Sequence, residues 1–409
     1  VISAAQSLVS SQRSSSPAHR PAATFVLASP EATLVADGAR TVIRAPSSRL
    51  VPEVRAFLAA RDGLDAAPAL VGALPFDPSQ DAYLIEPRAV TMTRPDGDAA
   101  PPAAAPASGA RRTYRVTARP SRAEYERAVA RALRLMTTEE DDRSPALRKV
   151  VLARSLVVEA DAPIDVEALL TRLRRDRSVT AFRVPLPAEG SDPRVLVGAT
   201  PELLVKRDGV AVTSMPLAGS ARRRRDAALD RAAGEALLRS AKNRREHATV
   251  VEWIADTLAP YCIGLTVQSR PSIVSTSSMW HLATRIVGQL RQPAPSSLEL
   301  AAALHPTPAV CGVPLDLARA TIRELEPFDR GFFTGAVGWC AANGDGQWLV
   351  AIRCAQITGS TAELFAGAGI VPGSQPASEA DETSAKFEAL LDALALDEQG
   401  QALAEERRS

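Results

Sequence analysis

The sequence predicts a chain of mixed α and β structure whose strands are joined antiparallel. Three observations carry this. Apolar strand-length stretches flank Asp208-Gly209, the chemistry of a tight hairpin turn. Residues 334–341 and 347–357 read as a meander across the turn Asn343-Gly344-Asp345-Gly346. Residues 121–138 and 226–260 space their apolar side chains as helix faces. No G-x-G-x-x-G or phosphate-loop pattern occurs, so nucleotide cofactors have no support.

The 409 residues suffice for a large core or two domains. A formal net charge of +1 favours neither nucleic acid nor an anionic membrane. No apolar run reaches the roughly 20 residues of a membrane span. The cysteines (Cys262, Cys311, Cys340, Cys354) and the few histidines lack C-x-x-C or H-E-x-x-H spacing. That argues against zinc and for a reduced, cytoplasmic setting.

In chain order, residues 1–22 read as a flexible leader without a signal-peptide pattern. Residues 24–45 alternate as strands, with turns at Ser29-Pro30 and Asp37-Gly38. A helix is expected over 50–62 and a buried strand over Ala69–Leu74, stopped by Pro75 and Pro78. Residues 94–112, rich in Pro, Ala and Gly, read as a flexible linker. The linker separates an N-terminal layer, 23–93, from a larger domain, 113–398, which a flexible tail, 399–409, follows.

The helix 121–138 leads to a strand over 148–159. Lys149 starts that strand on the face of Val151 and Ala153; such a lysine either snorkels at the strand end or has a chemical role. Strands fill 194–214. Glu202 lies there among apolar neighbours, either facing solvent or desolvated with a raised pKa. Residues 215–221 read as a glycine-containing connection, and Arg222–Arg225 as a solvated basic face. Two helices fill 226–260, and on the second Glu246 shares a side with Val250, Trp253 and Ile254. His247 points elsewhere. A strand at 279–287 carries His281, a Pro- and Gly-rich loop covers 305–314, and a helix covers 315–325.

The densest stretch is Arg353–Lys386. Residues 347–357 are apolar on both faces and read as one buried strand holding Arg353. A buried guanidinium needs a distant carboxylate or a bound anion. Gly367-Ala368-Gly369 reads as a tight turn or a close backbone approach. Ser378 is expected to cap a helix, with Asp381 as its capping-box partner. Glu379, Glu382 and Lys386 then fall on one side of it. They either offset the helix dipole and pair locally, or hold a divalent metal with a small acidic substrate.

Together, the stretches FVLASP, VGALPFDP, KVVLAR, GATPELLV, PLAGSARR, REH, WHLAT, HPTPAVCG, ELEPFDRGFFTGAVGWC, IRC, LFAGAGIVPGS and E-x-x-E-x-x-x-K resemble the chorismate-utilising enzymes, the family of anthranilate synthase component I. The resemblance spans about residues 24–395. It implies an α+β fold in which two large antiparallel β-sheets pack face to face, with helices outside and the active site between the sheets. It implies Lys149 as general base and Glu202 as general acid. It implies Glu246, Glu382 and Glu379 as Mg2+ ligands. Arg353, Gly367 and Lys386 would bind substrate carboxylates, and Gly219, Ser220, Ala221, His281 and Ala309 would line the substrate.

The implied reaction is the isomerisation of chorismate to isochorismate, with water adding at C2 as the C4 hydroxyl leaves. A rival in the same family also eliminates pyruvate to give salicylate. A non-catalytic chorismate-binding relative is a second alternative. No glutamine amidotransferase partner is expected, because no such module is present. A monomer feeding a 2,3-dihydroxybenzoate (siderophore) branch is expected. One departure is Asn243, where relatives often carry an acidic residue.

Overall fold

A computed structural model of the chain describes residues 24–61, 67–94, 113–137, 146–190, 192–397 and 401. The expected leader, the linker beyond Arg94 and the tail apart from Gln401 lie outside the described residues.

Among the described residues, one ten-stranded sheet begins at Gly312–Val313. It continues through Lys149–Ala160, Thr361–Ile370, Cys354–Thr358, Asp192–Thr200 and Thr180–Glu189. Phe25–Ala28, Thr33–Asp37 and Ala89–Thr93 complete the row, and Tyr114–Arg119 pairs off Lys149–Ala160. A nine-stranded sheet runs Cys262–Val267, Ile286–Leu290, Ala211–Met215, Leu203–Asp208, Gly346–Val350, Ala336–Ala341, Pro68–Leu74, Ala82–Glu86 and Thr41–Ala45. A small third sheet joins Leu217–Arg222, Met279–Ala283 and Ser272–Ser275. The described pairings are antiparallel, from Phe25 against Ala36 to Gly367 against Ala153.

The two large sheets pack face to face. Their shared core takes Phe25, Phe182, Leu196 and Phe365 from the first, and Val71, Val337 and Leu349 from the second. Phe333 stacks on Phe365 with ring centroids 4.9 Å apart. Helices cover both outer faces. Val166–Leu173 and Pro376–Leu394 bury Leu169, Leu170, Phe387 and Leu391 against the first sheet. Ser47–Ala59, Ala241–Leu258 and Ser297–Leu304 bury Leu50, Val250, Ile254 and Leu300 against the second. Each such side chain contributes about 1.5–3 kcal/mol. The α+β architecture implied by the resemblance is the one present. The strands of 23–93 are divided between both sheets.

Several local expectations need correction. The apolar stretch 347–357 is two strands, Gly346–Val350 in the second sheet and Cys354–Thr358 in the first. Arg353 stands in the crossing between them, at φ 50. The meander is thus divided between the sheets. The stretch 279–287 likewise breaks at Thr284 and Arg285, where the chain leaves the small sheet for the second large one. Residues 217–222 form a strand rather than a loop connection.

Gly367 and Gly369 are within the strand Thr361–Ile370, so no turn lies there. The last helix starts at Pro376, after Gln375, without a side-chain cap. Proline at the first helical position needs no hydrogen-bond partner for its nitrogen, and the cap falls at Gln375, three residues before the expected Ser378. Asp381 pairs with Arg122 at 2.7 Å instead of closing a capping box. Of the basic run, Arg222, Arg224 and Arg225 are exposed. Arg223 instead clamps the buried Asp230 at 2.8 Å and stacks over Trp280.

Candidate active site

The candidate residues gather where the chain changes sheets. Asp192–Thr200 lies in the first sheet and Leu203–Asp208 in the second, so Glu202 occupies a crossing. Arg353 occupies another, running the opposite way. The two crossings are bonded to each other: Val350 N–H donates to the Glu202 carbonyl at 3.1 Å, and Ala199 N–H to the Arg353 carbonyl at 3.1 Å. Strands that diverge into separate sheets cannot close the ladder between them. The gap left is a cavity of about 850 Å3, including its open mouth.

Glu202 lines this cavity and is 3% exposed. Burial pushes its carboxyl up to about 7, against the Leu217 N–H and the charges of Lys149, Lys386 and Arg353. Arg353 is also buried, and burial pulls it down to about 10. Among the described residues it makes no ion pair; its Nη2 donates to His281 Nε2 at 3.5 Å. Burial, then Arg353 and Lys386, hold His281 well below the usual histidine range, so the ring is neutral. A desolvated guanidinium without a carboxylate is a ready receptor for an anion.

Three carboxylates line the same space, from two helices. Glu379, Glu382 and Lys386 share a face of Pro376–Leu394, as their spacing predicts. Lys386 Nζ donates to Glu382 Oε1 at 2.6 Å and to the Gly367 carbonyl at 2.7 Å. Ser220 Oγ donates to Glu382 Oε1 at 2.8 Å. Burial alone would raise Glu382; Lys386 and Ser220 overcome it and hold the carboxyl below its usual value. Glu379 is raised by burial and then by Glu382, although Lys242 approaches it at 3.1 Å. Glu246 comes from Ala241–Leu258, and its Oε1 lies 2.9 Å from Lys149 Nζ. Lys149 itself is 3% exposed.

Gly219, at φ +77, Ser220, Ala309 and Gly367 line the cavity. Ala221 sits one position past the wall, paired with Trp280. Lys149 borders the cavity from behind Glu246 and does not line it. His247 is buried outside the cavity, with Nε2 2.7 Å from Thr284 Oγ1.

The sequence reading missed Lys242, and it named Asn243 and Gly369 without their contacts. Lys242 reaches Glu379. Asn243 packs under Gly219, where an added Cβ would come within 3.1 Å of the Asn243 Cβ. At Gly369 an added Cβ would stand 2.4 Å from Glu246 Oε1. Lys242 stands three residues before the REH stretch, so proximity to a named motif was the available signal.

A buried ion pair fixes the strand that carries Lys149. Among the described residues, Lys149–Ala160 has no strand paired to 151–154 on the edge where Gly312–Val313 and Tyr114–Arg119 pair, and only the Val151 N–H still reaches a backbone carbonyl there, that of Cys311 at 2.8 Å. Glu326 and Arg330 fill that gap. Ala153 N–H donates to Glu326 Oε1 at 2.7 Å, and Arg330 Nη2 donates to the Val151 carbonyl at 2.7 Å. Arg330 Nη1 also reaches the Val310 carbonyl at 2.9 Å and Thr334 Oγ1 at 3.2 Å. The pair does the bonding work of a missing strand. It holds the strand of Lys149, the loop of Ala309 and the wall residue Thr334 in one register.

Magnesium takes oxygen ligands and is commonly held by one or two carboxylates with waters and substrate oxygens. Among the described residues no three His, Cys, Asp or Glu side chains converge closely enough to enclose an ion alone. Carboxylate crowding at Glu379 and Glu382 fits a shared cation of that open kind. The donor set is oxygen only, as that chemistry requires.

Residues 94–395 match the family model described as chorismate binding enzyme. The chain is 41% identical over 385 residues to isochorismate synthase DhbC of Bacillus subtilis, covering 91% of this chain and 94% of that one. It is 42% identical over 330 residues to isochorismate synthase EntC of Escherichia coli K12, covering 80% and 82% of the two chains. A Bacillus anthracis crystal structure described as a 2,3-dihydroxybenzoate-specific isochorismate synthase, DhbC, superposes with a TM-score of 0.83 at 40% identity. It covers 92% of this chain and 97% of that one. The chain therefore belongs to the chorismate binding enzyme family. Within that family it falls with the isochorismate synthases, and its enzyme class is isomerase.

Proposed function

We propose that the cavity converts chorismate to isochorismate with Lys149 as base and Glu202 as acid. The observation that carries this is the pairing of a desolvated carboxyl, Glu202 at about 7, with an arginine that makes no ion pair among the described residues, Arg353, in one cavity. Arg353 takes a substrate carboxylate, and neutral His281 orients the guanidinium. Lys386 fixes the Gly367 carbonyl and Glu382, so its ammonium field also faces the substrate. The backbone of Gly219, Ser220 and Ala221, with Ala309, shapes the wall around the ring.

Lys149 accepts a proton from water, and the water oxygen adds at C2. The ring double bonds shift, the C4–O bond breaks, and Glu202 protonates the departing hydroxyl. One water is taken up and one is released. Glu246 and Glu382, with Glu379 beside them, would hold Mg2+, which supplies charge neutralisation at the substrate carboxylate when bound.

The test is mutational. Lys149→Ala and Glu202→Gln each lower turnover by at least 100-fold in a chromatographic assay, the scale typical of general acid–base groups. Wild-type turnover in Lys149→Ala refutes the base assignment.

The likeness to a 2,3-dihydroxybenzoate-specific enzyme supports a siderophore branch for the product. The chain is also 43% identical over 386 residues to a Mycobacterium tuberculosis protein described as isochorismate synthase MenF, which supports a menaquinone branch as the second reading. Restoring 2,3-dihydroxybenzoate production in a strain without its own isochorismate synthase supports the first; restoring menaquinone alone supports the second. We take 113–398 as the chorismate-binding domain, with 23–93 built into its sheets, acting as a cytoplasmic monomer without an amidotransferase. Among the described residues no helix is long and apolar enough to cross a membrane.

A further inference from the structure

A second cavity, which Glu202 does not line, adjoins the first at Lys242 and Glu246. It measures about 760 Å3 with its open mouth. Lys149 lines this cavity and not the substrate cavity. Its other walls include Thr249 and Val371, and the exposed Arg148 and Arg245 flank it.

Lys149 Nζ is fully buried and has no hydrogen-bond acceptor among the described residues. Glu246 Oε1 lies 2.9 Å away, but the angle is not that of a hydrogen bond. Buried N–H donors without acceptors are costly, and a polar cavity with room for a water, each about 30 Å3 of liquid, relieves that cost when other polar groups also hold the water.

We propose that this second cavity holds the attacking water against Lys149 and refills it from solvent past Thr249 and Val371. The substrate fills the first cavity, so its own ring blocks water from that side. Lys242 and Glu246 line both cavities, and the water reaches C2 where the two meet beside Glu246. The inference rests on Lys149 being the base. In the forward direction the water gives one proton to Lys149 and its oxygen to C2. In the reverse direction the C2 hydroxyl leaves as water into the same cavity. The released C4 water departs on the Glu202 side.

Thr249 and Val371 contribute no group to the chemistry, so they can be enlarged to plug the cavity. Thr249→Phe and Val371→Phe are assayed with Thr249→Ser as control. The expected result is a kcat reduced at least tenfold in both Phe variants. The chorismate KM, the half-saturating Mg2+ concentration and the melting temperature stay at wild-type values, and Thr249→Ser behaves as wild type. A wild-type kcat in both plugged variants overturns the proposal. A kcat loss that comes with a parallel loss of Mg2+ affinity overturns it equally, since the plug then acts by moving Glu246. The base assignment is judged separately by Lys149→Ala. If that variant is inactive while the plugged variants turn over freely, only the water route is rejected.

Discussion

Glu202 shows how a single residue acquires chemistry from its setting. Burial lifts its carboxyl from 4.5 to about 7. The acid form is therefore available at neutral pH, and the proposed acid role predicts that turnover falls as pH rises through about 7. In Glu202→Gln the residual rate loses that limb, which a pH–rate profile reads directly. The same shift has a stability consequence. The folded pKa lies above the unfolded one, so the contribution is complete below 4.5 and is lost as pH rises through about 7. The size is on the order of 3 kcal/mol for a shift of this kind. Melting of wild type should fall relative to Glu202→Gln between pH 5 and pH 8, and parallel melting curves would contradict the shift.

Gly369 is the other informative residue. Its missing side chain leaves room for Glu246, since a Cβ there would stand 2.4 Å from Oε1. Gly369→Ala should raise the half-saturating Mg2+ concentration for turnover at least tenfold while circular dichroism stays unchanged. Sequence alone left this glycine as a turn residue or a close approach. Local composition says that a Cβ is unwelcome; only the partner strand and helix say why.

Among the elements, the strand Lys149–Ala160 shows best what was legible. Its apolar run, its length and the placement of Lys149 on the Val151 face were readable from residue types. The pair that holds its open edge was not, because Glu326 and Arg330 lie 173 residues or more from their strand partners. Both side chains are nearly inaccessible, at 2% and 1% exposure. Arg330→Met leaves a buried Glu326 uncompensated and should cost about 3–5 kcal/mol. Adding Glu326→Leu should recover much of that stability, because neither charge is then buried alone. Turnover should remain low in the double variant, since the strand of Lys149 still lacks its surrogate ladder. Chemical denaturation and kcat measured on both variants check this.

The breaks at 351–353 and 284–285 were hidden for a related reason. An apolar strand looks the same whichever sheet it joins, so periodicity cannot mark where a chain changes sheets. The helix start at Pro376 was legible in principle, since proline suits a first helical turn. The Ser378–Asp381 spacing competed with it and lost, as Asp381 is engaged by Arg122.

At the scale of the whole molecule, the cavity exists because strands leave one sheet for the other. Glu202 and Arg353 stand at neighbouring crossings, and the helices that carry Glu246 and Glu382 cover the opening. The mixed, antiparallel character was readable from turns and apolar spacing. The sandwich was not, because pairings such as Val26 with Arg183 bring together residues that no local pattern relates. The family resemblance supplied that architecture, and the sheets match it.

The most direct measurement is chromatographic product analysis of the purified chain incubated with chorismate and Mg2+. The expected outcome is isochorismate in equilibrium with chorismate, without pyruvate and without a need for ammonia. Stoichiometric pyruvate release, or unchanged chorismate in the presence of Mg2+, would contradict the assignment of Lys149, Glu202 and Arg353 to this isomerisation.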